Sequence, residues 1–91
     1  MIVGKRLVVS GRVQGVGFRY FVLQAAEPLG ITGFVRNLRD GTVEIVAEGS
    51  PIGVRALAMD VLAGPRHGRV DEVDKTDIPV TGQYAGFEIR Y

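Results

Sequence analysis

The sequence predicts an α+β fold of the ferredoxin-like kind. Two helices lie on one face of a mostly antiparallel sheet of four to five strands, in a two-layer sandwich with a βαββαβ core and a short C-terminal strand. Three observations predict it. Apolar and polar residues alternate in short segments at 6–13, 31–38, 43–48 and 87–91. Apolar residues recur at helical spacing in two longer segments, after residue 18 and after residue 51. No repeat or low-complexity linker interrupts them, and 91 residues with 46% hydrophobic and 23% charged content suit one globular domain over 1–91.

The first strand puts Leu7, Val9, Gly11 and Val13 on one face, with Arg6, Val8, Ser10 and Arg12 on the other. A glycine turn then opens a helix whose stripe is Phe18, Val22, Ala25 and Leu29. Pro28 and Gly30 stop this helix near Glu27, and any continuation to Leu29 would be kinked. A second strand at 31–38 and a third at 43–48 form a hairpin about the turn Arg39-Asp40-Gly41-Thr42. Ser50 caps the second helix, Pro51 takes its first position, and Gly64-Pro65 ends it, with Val54, Leu57, Ala58, Val61 and Leu62 as its stripe. Residues 69–77 carry only Val70 and Val73 among charges, so they read as a charged edge strand that Pro79 ends. Phe87, Ile89 and Tyr91 alternate with Glu88 and Arg90 in the last strand.

Composition narrows the function. A formal net charge of +1 gives no concentrated basic face for nucleic acid or an acidic membrane surface. The chain has no cysteine, hence neither a disulfide framework nor a cysteine zinc site, and a cytoplasmic location is expected. No signal peptide or membrane span is apparent. His67 is the sole histidine and stands in a loop, while Asp71, Glu72, Asp74 and Asp77 lack calcium-loop spacing, so no metal or other cofactor is expected.

Two constellations could carry chemistry. In Gly11-Arg12-Val13-Gln14-Gly15-Val16-Gly17-Phe18-Arg19, glycines at 15 and 17 permit positive φ, and the first N–H groups of the following helix lack partners within it. That geometry suits an anion held by the amides of Gly15, Val16, Gly17, Phe18 and Arg19, with the Arg19 guanidinium as a bidentate donor. The same residues also suit a turn kept for its shape and a solvated arginine. In residues 33–44, the hairpin accounts for Asp40-Gly41 and the core for Val35 and Val43, leaving Asn37 on the inward face with Ile31 and Val35. An amide there either needs a partner or begins the turn by bonding its own backbone.

Together these two motifs, in this order and spacing, resemble the signatures of the acylphosphatase family. Gly64-Pro65 and the terminal Gly86-Phe87-Glu88-Ile89-Arg90-Tyr91 are similar to weaker features of it, so the resemblance covers nearly the whole chain. Phe34 stands where that family often has tryptophan, and Pro28 lies in a helix that commonly lacks proline. The resemblance implies a metal-independent hydrolase of small acyl phosphates, acting as a monomer without nucleic acid or membrane partners. It puts phosphoryl binding on Arg19 and positioning of the attacking water on Asn37. Such chemistry can be sparse, because a carboxylate leaves easily and phosphoryl transfer is chiefly a matter of positioning and charge.

Three rivals share the architecture. An RNA-binding module stacks bases on aromatics of its central strands, but Leu7-Val8-Val9 and Val43-Glu44-Ile45-Val46 contain none. A noncatalytic anion sensor would bind phosphate without turnover. A domain of a larger carbamoyl-transfer protein would need further domains beyond Tyr91. The physiological acyl phosphate is not legible, since the motifs see only the phosphate end.

Overall fold

A computed structural model describes every residue, Met1–Tyr91. Five strands, β1 (Val3–Arg12), β2 (Thr32–Asn37), β3 (Val43–Gly49), β4 (Arg69–Ile78) and β5 (Phe87–Arg90), form one sheet in the order β4-β1-β3-β2-β5. Helices α1 (Phe18–Ala26) and α2 (Pro51–Ala63) connect β1 to β2 and β3 to β4. All neighbours are antiparallel except β2 and β5, which run parallel. Neither helix is long and apolar enough to cross a membrane.

The core lies between the helices and the sheet. Leu7, Val9, Val35, Val43 and Ile45 from the strands meet Phe18, Val22, Val54, Leu57 and Val61 from the helices, all almost fully buried. The strand alternation places these residues inward, since β1 pairs with β3 in the register Leu7 to Ile45 and Val9 to Val43. In α1 the third buried position is Ala26 rather than Ala25, and the chain tightens at Pro28 into a single 3₁₀ turn, Glu27–Leu29, closed by Gly30. Proline has no N–H for an α-helical bond, and a short 3₁₀ turn accommodates it. In α2 the Ser50 hydroxyl oxygen accepts from the Gly53 N–H at 3.0 Å, as its place before Pro51 predicts. Leu62, expected in the inward stripe, instead faces out and is 60% exposed.

Two further features depart from the sequence reading. β1 begins at Val3, because its first residues pair with both the end of β3 and the end of β4. Every residue of β3 is buried, including Glu44 and Glu48, although alternation alone would leave its outer face wet. Arg6 and Arg36 cover Glu44, while the Thr81 and Gly82 N–H groups and the Thr81 hydroxyl donate to Glu48. The central strand is thereby covered on both faces, with Glu44 ion-paired and Glu48 hydrogen-bonded to neutral donors.

Candidate active site

The glycine turn between β1 and α1 has the backbone its residues imply. Gly15 and Gly17 have φ of 74° and 76°, the left-handed region that a β-carbon disfavours. Gly17 caps α1, and the first helical bond runs from the Phe21 N–H to the Gly17 carbonyl at 3.0 Å. The N–H groups of Phe18, Arg19 and Tyr20 therefore have no helical partner, and the first turn contains no acidic side chain to meet the positive end of the dipole.

Asn37 is the last residue of β2, paired with Val43 across the hairpin. Its side chain does not cap the turn. Asp40 does, its Oδ1 accepting from the Thr42 N–H at 3.0 Å and the Thr42 hydroxyl at 2.6 Å. That leaves the Asn37 Oδ1 buried with no protein donor, the sole buried side-chain polar atom in this condition. Such atoms are rare, because each forfeits the hydrogen bonds it made with water.

The two motifs meet at one cavity of about 290 Å³. Gly15, Gly17, Phe18 and Arg19 line one side and Asn37 another, with Val13, Tyr20, Ile89 and Tyr91 completing the wall. The Val16 side chain does not line it and packs against the core instead. Arg19 is held from the C-terminus, since its Nη1 donates to the Arg90 carbonyl at 3.2 Å and its guanidinium lies 4.5 Å from the centre of the Tyr91 ring. No aspartate, glutamate or histidine side chain lines the cavity, and no three such groups cluster anywhere in a way that could hold a metal ion. His67 lies in an exposed loop outside it.

Three residues contribute to the site without having stood out in the sequence: Gln14, Tyr20 and Tyr91. The Gln14 side-chain amide donates to the carbonyls of Leu38 at 2.8 Å and Thr42 at 2.9 Å, tying the glycine turn to the hairpin end that carries Asn37. Tyr20 and Tyr91 give the cavity an aromatic rim. The only advance signal for Gln14 was its place inside the first motif. For Tyr20 it was adjacency to Arg19.

A family model for acylphosphatases matches residues 5–89, all but the two ends of the chain. The chain belongs to the acylphosphatase family. It is similar to the acylphosphatase of Bifidobacterium longum (strain NCC 2705), 48% identical over 90 residues that cover 98% of this chain and 93% of that one. It is also similar to the acylphosphatase of Marinobacter nauticus (strain ATCC 700491 / DSM 11845 / VT8), 49% identical over 85 residues covering 93% and 92% of the two chains. Its backbone superposes on the crystal structure of acylphosphatase from Bacillus subtilis with a TM-score of 0.93 at 37% identity, covering both chains completely. Membership makes the chain an enzyme, a hydrolase of acyl phosphates.

Proposed function

We propose that this acylphosphatase hydrolyses the carboxyl–phosphate bond of small acyl phosphates without a metal, by in-line attack of one water on a phosphoryl group held at the glycine turn. The Arg19 guanidinium and the N–H groups of residues 15–19 bind the phosphoryl oxygens, and their positive potential grows more favourable as charge spreads over those oxygens in the transition state. Asn37 accepts a hydrogen bond from the water through Oδ1 and fixes its line of approach. The carboxylate product, a weak base, leaves without a general acid. With no carboxylate or imidazole side chain in the cavity wall, the water's proton passes late, to a phosphoryl oxygen of the substrate itself.

The observation that carries this reading is the unpartnered, buried Asn37 Oδ1, which shares one cavity with Arg19 and the glycine turn. A phosphate ligand alone gives no reason to bury an acceptor there, because anion binding calls for donors. A water needs such an acceptor. The test is incubation of the chelated protein with benzoyl phosphate and with an aryl phosphate monoester. Turnover of the first alone is expected. Loss of activity on chelation, restored by magnesium or zinc, would contradict the metal-free step, and phosphate binding without any turnover would return the noncatalytic sensor.

A further inference from the structure

A second and larger cleft lies between the N-terminal half of α2 and the paired ends of β1 and β4. Its volume of about 660 Å³ falls within the ~300–1,000 Å³ usual for small-molecule sites, and it shares no lining residue with the active-site cavity. One wall is apolar, built from Val54 and Ala58 of α2 and Ile78 of β4. Ile2 and Val80 extend that surface and stay 56% and 44% exposed.

The charges around the cleft are unbalanced. Lys5, Arg55 and Lys75 face a single acid, Asp77, in a chain whose whole formal charge is only +1. Arg55 and Lys75 take part in none of the five ion pairs of the molecule. Lys5 pairs with Asp77 at 2.8 Å, but the Asp77 side chain is 87% exposed and the Lys5 side chain only 30%. The ammonium is thus held at the cleft while its partner is free to turn into water, and an exposed pair of this kind is weak.

We propose that this cleft is a second binding site, for a small amphipathic anion with one acidic head and an apolar body. The head is met by Arg55 and Lys75, with Lys5 released from Asp77, and the body covers Val54, Ala58 and Ile78 along with the exposed Ile2 and Val80. A neutral apolar ligand would leave the cations unmatched. Inorganic phosphate would leave the apolar wall in water.

Octanoate, octanol and inorganic phosphate serve as probes with head and tail, tail only and head only, followed by amide NMR shifts. Octanoate is expected to give saturable shifts in residues 2–5, 54–58 and 75–80. Octanol should bind far more weakly, and phosphate should shift the glycine turn instead. The double variant Arg55→Glu/Lys75→Glu changes two exposed residues and should weaken octanoate binding at least about tenfold, with acyl phosphate hydrolysis and the rest of the spectrum unchanged. The proposal is overturned if octanoate shifts fail to saturate or map to residues 15–19. Equal binding of octanol, or undiminished octanoate affinity in the folded double variant, would overturn it as well.

Discussion

The Arg19 guanidinium carbon sits 4.5 Å from the centre of the Tyr91 ring, so a residue at the start of the first helix is oriented by the last residue of the chain. With the Arg90 carbonyl accepting from Nη1 as well, the guanidinium is held at two points. Preorganised donors are effective because no reorganisation is needed during the reaction.

Arg19→Lys should therefore fail despite keeping the charge. A lysine offers a point charge on a flexible stem and cannot make two parallel bonds, so kcat/KM is expected to fall at least about a hundredfold. Steady-state kinetics on benzoyl phosphate check this, and near-normal catalysis by the lysine variant would show that charge alone suffices.

Gln14→Ala removes the tie between the glycine turn and the hairpin end. Two carbonyls lose a donor, which destabilises the fold by about 1–3 kcal/mol. Because Gln14 does not line the cavity, kcat is expected to drop more than phosphate affinity, as the Asn37 end drifts from its place. Denaturant unfolding and phosphate inhibition measure the two effects separately.

Gly17→Val forces a branched residue to a φ of 76° and crowds the cavity that Gly17 lines. Phosphate affinity and turnover should fall together, in contrast to the separation expected at Gln14. A valine variant with normal affinity and rate would remove the backbone cradle from the mechanism.

The Glu44 carboxyl titrates below its ordinary value of 4.5, because hydrogen bonds from Arg6 and Arg36 overcome the upward push of burial. A depressed acid stabilises the fold above its unfolded pKa, and this contribution is lost as pH falls through the folded value. Glu44→Gln should thus cost about 1–3 kcal/mol at neutral pH, less than a fully buried pair because both arginines are partly exposed. The gap from the parent protein should close as pH drops below 4.5. Urea midpoints across pH 3–7 test this, and a gap that stays constant in acid would contradict it.

The pattern of what could be read from sequence follows the range of the interactions. Ser50-Pro51 and Gly64-Pro65 bracket α2 because caps and stops are local chemistry, and Gly15 and Gly17 declare a left-handed turn for the same reason. Asn37 stood out because the two-residue period of a strand points it inward with Val35, where an amide is out of place. The burial of Glu44 was not legible, since Arg6 lies 38 residues away in sequence. Nor was the role of Gln14, whose acceptors are 24 and 28 residues distant. β5 could be read as a strand, but its parallel seat beside β2 depends on a pairing that no local pattern specifies.

The most direct measurement is phosphate inhibition and kcat for Asn37→Ala and Asn37→Asp, each shown to be folded by circular dichroism. If Oδ1 holds water rather than phosphate, Asn37→Ala keeps phosphate affinity close to that of the parent while kcat falls roughly a hundredfold or more, the mark of an interaction made chiefly in the transition state. Asn37→Asp should restore little activity and weaken phosphate binding, because its charge faces an anion across the same cavity. A folded alanine variant that loses phosphate affinity as severely as turnover would make Asn37 a ligand of the phosphoryl group, and the water would then have no holder.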